Sequence, residues 1–385
     1  MAAGFDAIVV GLGAMGSAAL YELSRRGRRV LGLDAFAAGH RQGSSHGESR
    51  VIRLAYYEHP NYVPLLRRAY ERWADLERES GERLLRITGG LMIGRPASPL
   101  VAGARASAVQ HGLDFELLDP DEVLRRYPAL HLHSDDVALF EPRAGILSPE
   151  ACVDAHVRLA REAGAETRYS EPLRSWTASD AGVEVVTNSG RHTADQVVFT
   201  CGAWISQVLG DERILVRPER IPLFWLQPLE PRLFELGRLP IYLWQQANGG
   251  HFYGFPHLNW PGVKVARHHS GDFCDPDSVD RQVNAEDERR LRTAIGDRLP
   301  ALGGPVLSSL VCLYENSPDE HFLIDRLPDQ KNVVYAGGFS GHGFKFASVV
   351  GEILADLVTT GRATTDADFL RAQRLSTGGL RTGVL

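Results

Sequence analysis

Gly11, Gly13 and Gly16 form a GxGxxG pattern between an apolar run, Phe5 to Val10, and a helically spaced run, Ser17 to Arg26. That pattern suits a pyrophosphate. The first glycine permits a tight turn, the second lets the backbone approach the phosphates, and the third lets the helix pack on the strand. The helix N-terminus supplies unpaired N–H groups to the anion. Asp34 ends the next apolar run, Val30 to Leu33, where an acid accepts hydrogen bonds from a ribose. A free 2′-hydroxyl is thereby favoured, meaning FAD or NAD over NADP. The pattern does not separate those two, and a glycine-rich turn in a nucleotide-free α/β domain gives the same glycines.

The four cysteines, Cys152, Cys201, Cys274 and Cys312, are widely spaced and form no CxxC pair. Neither a zinc cage nor a disulfide framework is indicated, no metal is expected, and a reducing, cytoplasmic setting is expected. Met1 to Leu20 is apolar, but it lacks a basic start and is cut by the three glycines, so it reads as strand and helix. Lysine occurs only at Lys264, Lys331 and Lys345, while Lys plus Arg total 42, so arginine supplies 39. Where arginine is the default cation, a lysine is a candidate for a place needing a compact ammonium, with chance as the plain alternative. Lys345 follows the loop Gly337 to Gly343 and opens a helix, where a cation opposes the dipole. Lys264 lies in Val263-Lys264-Val265, a strand pattern that by itself turns its side chain to solvent.

Several elements must position these residues. Asn61 to Glu79 has the spacing of an amphipathic helix through Leu65, Leu66, Tyr70, Trp73 and Leu76. Ser148-Pro149-Glu150 reads as a helix start with serine as the cap. From Ile221 to His269 the texture is aromatic and β-like, with Asn248-Gly249-Gly250 as a hairpin turn. Asn284 caps a charged helix, and Asn332 to Ala336 is a buried strand entering the glycine loop, with a helix from about Phe346 to Thr359. The length of 385 residues fits two domains. Usage of 44% hydrophobic and 23% charged residues argues against disorder. The net charge of −6 argues against a nucleic-acid or anionic-membrane face. No apolar run is long enough to span a bilayer. The expected fold class is α/β, in the mixed α+β sense. A Rossmann-type nucleotide domain of 1–85, 145–215 and 310–385 is interleaved with a β-sheet-rich substrate domain of 86–144 and 216–309.

Three segments together are specific: CLYENSPDEHFLID from Cys312 to Asp325, AGGFSGHGFKF from Ala336 to Phe346, and SSHGESRVIR from Ser44 to Arg53. They closely resemble the monomeric sarcosine oxidase and N-methyltryptophan oxidase family of flavoprotein amine oxidases. The resemblance runs from the first strand to about Gly361 and implies an FAD-binding domain. It implies FAD bound covalently through its 8α carbon to the residue matching Cys312. A thiolate can attack that position of an oxidised flavin, and the plain alternative is a small buried residue in a strand. By resemblance Gly11, Gly13, Met15, Gly16, Asp34, Ser45, Gly341, Gly343, Phe344 and Lys345 contact the cofactor. His46 and Arg50 pack on the flavin ring, Arg50 assisting attachment. Arg53 and Lys345 hold a substrate carboxylate, and Tyr253, His268 and Tyr314 surround the substrate. Lys264 sits over the flavin, where a fixed cation stabilises the superoxide formed as one electron reaches O2. Lone histidines and tyrosines are otherwise structural. Arg267 and Trp244 are candidates for reshaping the pocket.

The implied activity is oxidative demethylation of a secondary N-methyl amino acid with O2, giving formaldehyde, the primary amino acid and hydrogen peroxide, by a monomer. N-methyltryptophan and cyclic imino acids of the pipecolate type are alternative substrates. Rivals of other classes are a flavin dehydrogenase passing electrons to a carrier and a non-catalytic flavoprotein.

Overall fold

Residues 4–211 and 214–376 are described in the computed structural model. The outer ends of the expected ranges 1–85 and 310–385, and positions 212–213 within 145–215, lie outside the described residues. The run Phe5–Val10 is apolar and rich in branched side chains, and it forms a strand in the middle of a parallel sheet. It pairs with Val30–Leu33 on one side and Gly190–Phe199 on the other. Gly190–Phe199 pairs in parallel with Gln330–Gly337. Both faces of such a sheet are covered, which is why these strands read as continuous apolar runs.

Helix Ala14–Arg25 crosses one face and packs against the C-terminal helix Ala347–Thr360. Two glycines seat this helix, Gly16 against the preceding turn and Gly351, from helix Ala347–Thr360, against it at Ala18. A Cβ on Gly16 would lie 1.7 Å from the Gly11 carbonyl oxygen, and one on Gly351 would lie 2.6 Å from Ala18. Gly11 also has φ +92°, a conformation glycine adopts freely.

The second sheet is the aromatic one. Its order is Val306–Asn316, Arg217–Leu226, Val263–His268, His251–Gly254, Ile241–Gln245, Gly90–Gly94, Val137–Glu141 and Glu116–Leu118. The turn Asn248-Gly249-Gly250 joins Ile241–Gln245 to His251–Gly254 in antiparallel register. Trp244, Phe252, Tyr242 and Phe224 bury one face of this sheet with Leu291 and Ile295 of the helix Ala285–Ile295. Asn284 starts that helix with a full capping box to Asp287. A small third sheet, Arg50–Ile52, Gly145–Leu147 and Leu85–Ile87, lies apart from both. The fold is mixed α/β.

Position 310, near which a domain cut is expected, lies within Val306–Asn316, a strand that pairs with Arg217–Leu226 along its length. Ser148 stands at the N-cap of helix Pro149–Glu162, but its hydroxyl makes no capping bond. The Glu150 carboxylate of the same turn faces outward to another loop and accepts from Gly47 N at 2.6 Å.

Candidate active site

A cavity of about 750 Å³ opens at the C-terminal ends of the parallel strands, with Val10, Asp34, Thr200 and Ala336 in its wall. Open α/β sheets bind ligands at this edge. Gly11, Gly13, Met15 and Ser45 line it too, and so do Arg50, Cys312, Gly341, Gly343 and Phe344. Asp34 is held on the wall by its own neighbours: Leu12 N donates to Oδ2 at 2.8 Å and Phe36 N to Oδ1 at 2.9 Å. The Ser45 hydroxyl accepts from Ala14 N at 3.0 Å, at the helix start. Gly16 lies behind the cavity, where it seats the helix. A cradle without side chains, an acid beyond the second strand and this volume fit a dinucleotide. Gly341 has φ +76°, and a Cβ there would strike the Tyr314 ring at 2.3 Å, so the glycine loop closes directly onto Tyr314.

A smaller cavity of about 70 Å³ adjoins the first. Cys312, Tyr314, Arg50, Gly341 and Phe344 line both. Its other walls include Arg53, Lys345, Tyr57, Glu58, Tyr253 and His268. Arg53 is fully buried and half occupied. Its Nη2 donates to both Glu58 oxygens at 2.8 Å and its Nη1 to Ala55 O at 2.7 Å. Arg53 Nε has no hydrogen-bond partner among the described residues. Lys345 Nζ donates to His342 O at 2.6 Å, which leaves two of its three donors over. Burial, and then the Arg53 charge, lower the Lys345 ammonium to about 7, against the pull of Glu58. Burial by itself raises the Glu58 carboxyl, but Arg53, His342 and Lys345 together hold it below its usual value.

The Tyr314 hydroxyl and His268 Nδ1 share a hydrogen bond at 3.1 Å. Burial drives His268 well below the ordinary histidine value, with His269, His251, His342 and Lys345 adding to the effect, so the ring is neutral. Burial also raises the phenols of Tyr253 and Tyr314, which stay protonated. Trp244 lines this cavity, whereas Arg267 lies on a separate shallow pocket with Asp272 and Arg290.

Cys312 Sγ sits 3.6 Å from Arg50 Nη2. The guanidinium is wrapped by backbone: it donates to Ser49 O, Ser44 O and His46 O at 2.7–2.8 Å. His46 lines neither cavity. It reaches Arg50 through its carbonyl, and its imidazole is lowered to about 3 by burial, Arg50 and Lys264.

Lys264 overturns the solvent-facing reading of its strand. It is only 2% exposed, and Nζ donates to Gly47 O at 2.5 Å, Ser49 O at 2.8 Å and Ser49 Oγ at 3.2 Å. Three oxygens match the three donors of an ammonium. Burial and the Arg50 charge push its pKa well below the usual lysine value, while Glu48 and Glu150 oppose them. Lys264 lines neither cavity and stands behind the loop that ends at Arg50. Lys331 is a surface residue paired with Asp180. Of the wall residues, Tyr57, Glu58 and His251 have no strong signal in sequence. The nearest is the acid that follows Arg53 by five positions in Arg53-Leu-Ala-Tyr-Tyr-Glu58. Among the described residues no cluster could hold a metal ion, and no helix is long and apolar enough to cross a membrane.

The sequence matches the FAD dependent oxidoreductase family over residues 6–357. It is 44% identical over 378 residues to the monomeric sarcosine oxidase of Streptomyces avermitilis, covering 97% of this chain and 98% of that protein. It is 33% identical over 383 residues to the N-methyl-L-tryptophan oxidase of Salmonella heidelberg, covering 97% of this chain and 99% of that one. In fold it resembles NikD, an unusual amino acid oxidase essential for nikkomycin biosynthesis. The TM-score is 0.86 at 24% identity, over 99% of this chain and 98% of NikD. With a dinucleotide cavity, a glycine cradle and full-length likeness all in register, this chain belongs to the monomeric sarcosine oxidase and N-methyltryptophan oxidase family of FAD-dependent oxidoreductases.

Proposed function

We propose that this chain is an FAD-dependent oxidase of small N-methyl amino acids such as sarcosine, giving formaldehyde, the primary amino acid and hydrogen peroxide. One observation carries the reading: Cys312 and Tyr314 face both the dinucleotide cavity and a small inner one that also holds Arg53 and Lys345. A bound flavin supplies the electron chemistry, taking two electrons from substrate and delivering them to O2. This chain's residues do the rest. Arg53 Nε and the spare donors of Lys345 take the substrate carboxylate, which leaves the Arg53–Glu58 pair intact. Neutral His268, Tyr253 and Tyr314 shape the space for the amine and its methyl group. Cys312 is the proposed covalent tether, with Arg50 beside its sulfur. Gly11, Gly13, Met15, Asp34, Ser45, Gly341, Gly343 and Phe344 hold the cofactor. Lys264, behind the loop, is the proposed cation for O2 reduction. A cytoplasmic monomer is proposed as well: the Streptomyces relative is named as monomeric, and all four cysteines here are free thiols suited to a reducing setting.

Size bears on the choice of substrate. The inner cavity is small, about 70 Å³, with Trp244 and Tyr57 in its wall, which favours a compact N-methyl amino acid over one carrying an indole or a six-membered ring. Peroxide release over a panel of N-methyl and cyclic amino acids tests this. Sarcosine should exceed N-methyltryptophan in kcat/KM by about tenfold or more, the effect of a poorly fitting group in a closed pocket. No turnover with any secondary amino acid would sink the proposal.

The carboxylate role has its own pH signature. Lys345 is charged below about 7 and neutral above it, so the charge that grips the carboxylate is lost as pH rises. The KM of the parent should climb between roughly pH 6 and 8, by about tenfold in the limit of losing one charged hydrogen bond. Lys345→Met should show the high KM at both ends and no slope. A parent KM independent of pH across that window rules out this role.

A further inference from the structure

The loop Ser44–Arg50 is held in an unusual shape by a residue outside both cavities. Gly47 and Glu48 are consecutive left-handed positions, with φ +94° and +70°. For glutamate that conformation is strained. The Glu48 carboxylate is buried and takes three donors: Trp225 Nε1 on Oε2 at 2.9 Å, and Asn259 N and Trp260 N on Oε1 at 2.8 and 2.7 Å. From the other side Glu150 accepts from Gly47 N and Glu48 N, and Lys264 donates to Gly47 O and Ser49 O. The loop is thus pinned at once to helix Pro149–Glu162 and to the aromatic sheet.

What this loop encloses is the Arg50 guanidinium. Nη2 donates to the Ser44 and His46 carbonyls and Nη1 to that of Ser49, and the same Nη2 lies 3.6 Å from Cys312 Sγ. Arg50 forms no ion pair among the described residues. The position of Arg50 is therefore set by the shape of residues 44–49, and that shape is set by the Glu48 anchor. We infer that Glu48 is a positioning residue for attachment of the flavin, holding Arg50 against Cys312 so that the sulfur can form its bond to the cofactor.

The inference rests on the covalent reading above. The bond forms between Sγ and the flavin 8α carbon, replacing the S–H and one C–H. The two protons and two electrons released reduce O2, the oxidant of the proposed reaction, to hydrogen peroxide. Glu48 takes no part in the bond change and acts only through the loop.

Glu48→Gln is the discriminating change. Its amide has one acceptor and one donor end, so either orientation sets an NH2 against at least one of the three donors. Flavin-free full-length protein would be mixed with FAD. Non-covalent binding would be read from flavin absorbance, and covalent attachment from the colour retained in an acid precipitate over time. The expected result is binding close to the parent's with attachment slowed about tenfold or more, the scale of one buried polar group left unpaired. Trp225→Phe removes one donor to Glu48 while leaving the loop's own residues unchanged and should give a smaller slowing, which keeps the test valid if Glu48→Gln folds poorly. Attachment at the parental rate in both variants overturns the inference. So does a loss of attachment that merely follows a loss of FAD binding, which is what a purely structural anchor gives. A parent that never retains acid-stable flavin overturns both this inference and the covalent reading, whereas the first two results leave that reading standing.

Discussion

Acid precipitation of Cys312→Ala is expected to leave a white pellet and a yellow supernatant, where the parent keeps its colour in the pellet. The sulfur stands on the wall shared by the two cavities, with a guanidinium 3.6 Å away and no ion pair competing for that cation among the described residues. Of the other thiols, Cys152 is buried on the inner face of helix Pro149–Glu162 and Cys201 is held against Val10 O at 3.4 Å. Burial raises both well away from reactivity, and Cys274 is raised as well. The loss should therefore be near complete. The glycine cradle and Asp34 are untouched by this change, so the variant should still bind FAD, and binding before precipitation separates a lost bond from a lost site. Colour that stays with the Cys312→Ala pellet would move the tether elsewhere.

Lys264→Met should separate the two halves of the reaction. Reduction of the flavin by substrate under anaerobic conditions should change by less than about tenfold, because Lys264 lines neither cavity. Reoxidation by O2 should slow by about 10²–10³-fold, the usual effect of removing one preorganised charge from developing negative charge. The substitution keeps most of the unbranched side chain but strands three oxygens, on Gly47 and Ser49, that now receive its donors. Arg50 is also hung from Ser49 O. A parallel reading of acid-stable flavin therefore checks that the loop has held. Unchanged reoxidation in a correctly flavinylated variant would remove Lys264 from oxygen chemistry. Slow reoxidation in the parent itself would favour a dehydrogenase that uses a carrier.

Much of the nucleotide half was legible because its chemistry is local. Close approach of backbone to a pyrophosphate demands glycines at fixed offsets, and Gly11, Gly13 and Gly16 sit within six consecutive residues. The hairpin at Asn248-Gly249-Gly250 and the capping box at Asn284 are local in the same way, set by backbone dihedrals and by a side chain three residues off. Ser148 shows the limit of that logic. Its cap position is right and the bond is absent, because what a cap bonds depends on which donors the surroundings leave open.

Residue types, spacing and local turns in the chain determine a dinucleotide cradle, an aromatic sheet and a short list of reactive side chains. Which way those side chains face is decided elsewhere. Lys264 alternates with valines on a strand, and alternation alone sends it to solvent; burial follows only because the loop Gly47–Ser49, more than two hundred positions earlier, covers that face and offers its carbonyls. Arg53 reads as a free cation until the fold turns Glu58 back onto it. Cys312 is a candidate from its motif, but its neighbour Arg50, 262 positions away in sequence, is brought to it only by the fold. A charge in a low-dielectric interior is governed by what lies within a few ångströms, and for these residues the tertiary fold alone supplies those neighbours.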